Sequence, residues 1–296
     1  MAPMKLRHPG RFGDTPIVRR AKGQWPGGRK LAVYVALNLE SYAFGEGLSE
    51  DIVPGSGQPD VLNWSWREYG NRIGAWRLLE EFKAAGLPAS LLVNSAIFER
   101  HASLVEAYRA AGAAIVAHGR TNSESQSGLD EAAELALIVE ARDGIAAQIG
   151  AAPQGWLGPW IAETERTPEL LHAAGFGYSL DWCMDDQPVW LGVEGGKLLS
   201  VPYPQELNDS NAIVARRHGA GEFADMIVEQ FDEMREQAGQ GVPLVMGVAL
   251  HAYVAGQPFR LRALRKALRY IATSHSDVWL ATTDQIAAHW RATSMA

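Results

Sequence analysis

Several apolar runs in this chain stop at side chains that can move protons. Residues 30–37 run into Asn38-Leu39-Glu40-Ser41, and residues 113–117 run into His118-Gly119 with Asn122 close behind. Residues 178–180 end at Asp181, and residues 243–250 end at His251. A shorter run, Gly155-Trp156-Leu157-Gly158-Pro159-Trp160, and residues 198–201, which lead to Asn208 and Asp209, complete the set. A carboxylate and two histidines delivered by separate strands can meet in one cleft. Glutamate can take a proton from water and histidine can give one to a leaving group. Glu40, His118 and His251 are therefore the candidate catalytic residues, for general acid-base hydrolysis. The ordinary alternatives are a structural Glu40 bonded to Arg67 or Arg72, and histidines packed beside turns. Asn122, Trp160, Asp181, Asp185, Asn208 and Asp209 are the candidate substrate contacts. The pair Asp185-Asp186 reads equally as a capped turn.

The elements that must position these residues alternate along the chain. Residues 30–37 are apolar enough for a strand buried on both faces. Further strands are expected over 88–93, 113–117, 155–160, 178–180, 198–201, 243–250 and 278–281. Helical patterning covers 71–85, 95–111, 129–150, 167–174, 221–238, 260–274 and 283–291, with Gly86 as a stop, Thr167 as a cap and Pro168 in a first turn. Residues 42–68 carry no period and read as one long loop. Strand and helix in alternation imply an α/β fold with parallel strands and helices outside. About seven repeats favour a barrel over an open sheet, which stays possible. In such folds function gathers where strands end. Residues 1–29, basic and rich in Gly and Pro, read as an extended lead-in, and 30–296 as a single domain.

Composition narrows the function class. The chain has 296 residues, 47% of them hydrophobic and 21% charged, with a net charge of -7. That is ordinary for a globular enzyme and gives no support for nucleic-acid or acidic-membrane binding. The single cysteine, Cys183, allows neither an intrachain disulfide nor a cysteine-built zinc site. No signal-peptide or membrane-length apolar run is seen, so a cytoplasmic location is expected. Ten tryptophans, several in polar contexts, suggest a pocket for a flat ring.

In order, these motifs resemble the polysaccharide deacetylase superfamily over roughly residues 30–290. They are Asn38-Leu-Glu-Ser41, Tyr69-Gly-Asn-Arg-Ile-Gly-Ala-Trp76, Ala117-His-Gly119, Gly155-Trp-Leu-Gly-Pro-Trp160, Asp185-Asp-Gln-Pro188 and Leu250-His251. Within that superfamily the chain looks most like the branch containing the metal-independent allantoinase. The resemblance implies a distorted (β/α)7 barrel and hydrolysis of a non-peptide carbon-nitrogen bond by water. It implies Glu40 as general base and His251 as general acid, acting on a small amide, ureide or cyclic amide, and it favours a homo-oligomer. Metal-dependent members carry two aspartates where Glu40 and Ser41 stand, a second histidine where Asn122 stands, and an arginine where Leu157 stands. Serine and neutral asparagine are poor ligands for transition metals, so no cofactor is expected. Oxyanion stabilisation would then fall to backbone N–H groups of the 158–160 turn, to Asn122 or to a protonated His118. Two alternatives remain. One is a metal-dependent N-acetyl sugar deacetylase, with zinc or a similar ion on Glu40, His118 and Asn122. The other is a degenerate member that binds a small molecule without turnover.

Overall fold

The computed structural model describes residues 6–48, 52–55, 57–273 and 276–294. Its strands are β1 (Leu31–Leu39), β2 (Ala89–Val93), β3 (Ala114–Ala117), β4 (Gly155–Trp156), β5 (Tyr178–Ser179), β6 (Val189–Val193), β7 (Gly196–Ser200), β8 (Leu244–His251) and β9 (Val278–Leu280). They form one curled sheet in the order β6-β7-β5-β4-β3-β2-β1-β8, with β9 paired to the start of β1. Among the described residues, the run from β7 through β5, β4, β3, β2 and β1 to β8 is parallel throughout. Among the strands of the described residues only β6 runs antiparallel, as a hairpin with β7. This is the α/β architecture the alternation implied, curled as a barrel with one irregular seam. There, among the described residues, β8 meets no strand ladder. Instead Asn208 bridges to Ala249, and the Val245 N–H donates to the Asp186 carbonyl at 2.8 Å.

The apolar run of β1 explains its central place. All nine of its residues are buried. Leu31, Val33, Val35, Leu37 and Leu39 join the helix-facing core with Leu78, Phe82 and Ile227. The alternate residues Ala32, Tyr34 and Ala36 face the barrel interior with Tyr178, Leu199 and Val201. Side chains that alternate in this way produce two cores from one strand.

Two segments differ from their sequence reading. Residues 61–69 form a helix inside the expected loop, with Asp60 capping it by accepting from the Asn63 N–H at 3.0 Å. This helix passes through a wider turn, Gly70–Gly74, into the helix Ala75–Ala85. Gly70 and Gly74 allow that turn to lie against the backbone of Tyr253 and Ala252, where a Cβ would come within 2.5 and 2.1 Å of a backbone atom. Strand β6 was not expected either. Its mixed exposure lacks a clean period, and only the turn at Gly195 (φ 81°) marks the hairpin. The cap of the helix Thr167–Ala173 also differs. Thr167 is its first residue, and its hydroxyl accepts from the Thr164 N–H at 2.8 Å. No helix of the described residues is long and apolar enough to cross a membrane.

Candidate active site

The parallel register sets the carboxyl ends of the strands side by side. Asn38 pairs with His251, Leu39 with Val93, Val93 with Ala117, and Trp156 with both Ala117 and Ser179. The residues just beyond these pairs, Glu40, Asn94, His118, Leu157 and Asp181, therefore line one mouth.

At its centre, Glu40 Oε1 lies 3.7 Å from His118 Nε2 and 3.6 Å from His251 Nε2. Both gaps exceed a hydrogen bond. The Asn122 side-chain NH2 donates to the same oxygen at 2.8 Å, and the Tyr42 hydroxyl donates to Oε2 at 3.1 Å. The Arg67 guanidinium lies 4.0 Å from the Tyr42 ring centre. Burial alone would push the Glu40 carboxyl up. The charges of His251, His118 and Arg67 outweigh it and hold Glu40 down at about 2. Tyr42 is pushed well above the usual phenol range, first by burial and then by Glu40, so it stays a donor.

Each histidine is oriented from behind. His118 Nδ1 lies 2.7 Å from the Leu157 carbonyl, which can only accept, so Nδ1 carries the proton and Nε2 faces Glu40. His251 Nδ1 lies 2.7 Å from Asp209 Oδ1, and the His251 backbone N–H donates to both Asp209 oxygens at 2.9 and 3.0 Å. Asp209 is fully buried. An aspartate behind an imidazole fixes its tautomer and stabilises its charged form.

The mouth also answers which way Asn122 points. The Ser41 N–H donates to Asn94 Oδ1 at 2.7 Å, so Asn94 must present its NH2 to Asn122 Oδ1, 2.9 Å away. Asn122 therefore has its oxygen occupied and its NH2 turned to Glu40. A metal held by Glu40, His118 and Asn122 would need a lone pair where that NH2 stands, so these residues do not fit one. Among the described residues, no group of three His, Cys, Asp or Glu is arranged to hold a metal ion.

The remaining candidates divide. Trp160 stands at the mouth, 40% exposed, with its indole donating to the Asn122 carbonyl at 3.0 Å. It and Ile161 have positive φ values of 63° and 52°. For bulky and β-branched residues that costs about 1–3 kcal/mol each, so the surroundings must over-determine this loop. Asp181 is buried at the same mouth and accepts from the Gly158 N–H at 2.7 Å. That bond engages the Gly158 N–H, and Asn122's NH2 is engaged by Glu40. Of the donors considered, the Trp160 backbone N–H of the 158–160 turn and His118 remain. Asn208 sits on the seam, where its side chain accepts from the Ser210 N–H at 3.1 Å. Asp185 is not brought to the mouth. It binds Arg20 through two contacts of 2.5 and 2.6 Å, beside Asp186, whose carbonyl accepts from Val245. Val245 precedes His251 by six residues on β8, roughly 20 Å along a strand.

Sequence reasoning left out Tyr42, Asn94 and Glu163, and it weighed Arg67 only as a structural partner. Asn94 follows the last residue of β2, so the rule that found Glu40 and His118 could have found it. Glu163 lies in a loop with no such signal.

Set against known proteins, no family model matches the chain. A protein of Schizosaccharomyces pombe named as a polysaccharide deacetylase is 29% identical over 297 aligned positions, covering 90% of this chain and 92% of that one. The crystal structure of a PuuE allantoinase superposes with a TM-score of 0.83 at 29% identity, covering 97% of this chain and 99% of the other. A Pseudomonas aeruginosa structure named as a polysaccharide deacetylase superposes at 0.82 with 27% identity, covering 95% and 99%. The distorted (β/α) barrel inferred from the motifs is thus the fold these structures share with this chain.

Proposed function

The chain is a relative of polysaccharide deacetylases and of an allantoinase, and from that kinship and the geometry of the mouth we propose that it hydrolyses a non-peptide carbon-nitrogen bond. The substrate class is a small amide, ureide or cyclic amide, and the reaction uses the protein's own acid and base. The observation that carries the proposal is one carboxylate oxygen, Glu40 Oε1, set within 3.6 and 3.7 Å of two imidazole nitrogens.

In this reading Glu40 takes a proton from the attacking water and His251, backed by Asp209, protonates the departing nitrogen. A carboxylate held near 2 is a weak base while its cationic neighbours keep their charge. The coupling turns this to advantage. As His251 gives its proton to the leaving group, the largest of the charges holding Glu40 down is lost, and the proton affinity of Glu40 rises as the water proton arrives. His118 Nε2, when protonated, can donate to the oxyanion. Trp160, the exposed aromatic at the mouth, offers a face for a planar ring.

The test is turnover of a panel of cyclic ureides, beginning with allantoin, alongside N-acetylated sugars, with and without a strong chelator. The expected result is opening of a cyclic amide or ureide at a rate the chelator leaves unchanged. Hydrolysis confined to N-acetyl sugars, or lost with chelator and restored by zinc, would overturn it.

A further inference from the structure

The motif Tyr69-Gly-Asn-Arg-Ile-Gly-Ala-Trp76 has no part in the acid-base reading. In the fold it holds the wide turn Gly70–Gly74, closed by the Ala75 N–H donating to the Gly70 carbonyl. A bond that spans one extra residue interrupts a regular helix, and such turns are frequent at functional sites. This one lies between the segments that carry Glu40 and His251.

On the Glu40 side, Asn71 is buried and its side-chain NH2 donates to the Glu40 backbone carbonyl at 2.8 Å. The ladders of β1 end at Asn38–His251 on one side and at Leu39–Val93 on the other, short of Glu40. The Asn71 bond therefore continues the constraint where the strand pairing stops. One turn earlier on the same helix, the Arg67 guanidinium covers the ring of Tyr42, which donates to Glu40 Oε2. Backbone and carboxyl of Glu40 are thus both held from this helix.

On the other side, His251 passes at once into the helical turn Ala252–Ala255. Here two backbones meet with no side chain between them. A Cβ on Gly74 would stand 2.1 Å from the Ala252 carbonyl oxygen, and one on Gly70 2.5 Å from the Tyr253 nitrogen. A Cβ on Gly256 would stand 2.3 Å from Gly74 Cα. Gly70 and Gly74 have ordinary helical φ values of -56° and -61°, so it is the contact, not the conformation, that requires glycine. Arg77 ties the two segments again, donating to the Tyr69 hydroxyl at 2.6 Å and to the Gly256 carbonyl at 3.3 Å.

We propose that the turn Gly70–Gly74 is a brace that fixes the gap between Glu40 and His251, with Asn71 as the positioning residue on the Glu40 side and Gly74 as the one on the His251 side. Its kinetic consequence rests on the function proposed above, whereas its geometric consequence does not. The gap it fixes is the 3.6 Å between Glu40 Oε1 and His251 Nε2. A misplacement of about 1 Å between reacting groups can cost about 10²-fold in rate. A contact between bare backbones suits the task, since it has no side-chain rotamers through which the gap could drift.

The experiment compares crystal structures and kinetics of three variants with the wild type. Asn71→Ala removes the bond to the Glu40 carbonyl and adds no atom. Its Glu40 Oε1–His251 Nε2 separation should open by about 1 Å, and kcat on a confirmed substrate should fall by about 10²-fold. KM should stay within about threefold, because the groups that move act on the reacting atoms. Gly74→Ala acts from the opposite side. Its new methyl must push the Ala252 turn away and shift His251. Leu79→Ala is the control, since Leu79 is buried in the helix-facing core on the helix that follows. It should lower Tm at least as far as Asn71→Ala does, with the separation and kcat at their wild-type values. A separation unchanged in Asn71→Ala overturns the proposal, whether or not Gly74→Ala folds. So does a folded Gly74→Ala protein with His251 in its original place, or a kcat loss that Leu79→Ala reproduces. If the separation opens in Asn71→Ala but the wild type turns over no carbon-nitrogen substrate, the brace stands and the functional reading fails.

Discussion

The mouth contains two carboxyl assemblies that face opposite ways electrostatically. Glu40 is surrounded by His118, His251 and Arg67 and is held down at about 2. Burial, then the charge of Asp181, push Glu163 up to about 9. Both are largely buried, so desolvation pushes both the same way. What separates them is the sign of the neighbours: cations around Glu40, another carboxylate beside Glu163. One carboxyl is thereby kept charged and the other neutral around pH 7. Residue type and burial alone would not have distinguished them.

The contrast breaks most visibly at Glu40. Glu40→Gln keeps the shape and removes the base. It should lower kcat by about 10³–10⁴-fold, the usual reach of general acid-base catalysis, with little change in the folded spectrum. Turnover within tenfold of wild type would remove Glu40 from the mechanism. Asp209→Asn comes next. It leaves the His251 ring in place but no longer favours the Nδ1–H tautomer or the charged form. A kcat loss of about 10²–10³-fold is expected. If KM rose instead and kcat held, Asp209 would be a substrate contact, as its sequence position first suggested.

A smaller effect sharpens the contrast directly. Glu40 titrates lower in the folded chain than in the unfolded one, whose carboxyl has a value of 4.5. The unfolded state therefore binds more protons in between. The Glu40 contribution to stability is complete above that range and is lost as pH falls through about 2. Glu163 has the reverse sign. Its contribution is complete below the ordinary value of 4.5 and is lost as pH rises through about 9. Plots of unfolding free energy for wild type minus variant should thus slope upward with pH on the acid side for Glu40→Gln. For Glu163→Gln they should slope downward from weakly acid to alkaline pH. Parallel slopes would mean that the two assemblies do not differ in sign.

How much of this could be read in the sequence follows from where the forces act. Parallel strands covered on both faces are continuous apolar runs, so their ends are visible, and with them Glu40, His118 and His251. The alternation of elements likewise gave the barrel. The helix Val61–Tyr69 was hidden because most of its length is exposed or half-buried, with Asn63 and Arg67 as its buried residues. Glu163 could not be found because what marks it is burial beside the charge of Asp181, eighteen positions further on, and no local period encodes that. Asp181 and Asp185 show the same limit, since both follow the same strand within a few residues. Only the fold carries one to the mouth and the other to the seam.

That last pair yields the smallest effect. Asp185 and Arg20 form a half-buried pair with side-chain exposures of 14% and 24%. Asp185 also accepts from the Gln187 N–H at 3.0 Å. These bonds tie the residue to the lead-in and the seam, not to the reacting groups. Asp185→Asn should therefore cost about 1 kcal/mol of stability, readable as a drop of roughly 2–4 °C in Tm. Its kcat and KM should stay within about twofold of wild type, since nothing in the mouth bonds to it. A KM rise of tenfold or more, with stability unchanged, would return Asp185 to the substrate and show that the seam opens toward the mouth. The neutral outcome would leave Asp181 as the acid of this stretch that the mouth uses, and would set the boundary of the site between two aspartates four positions apart.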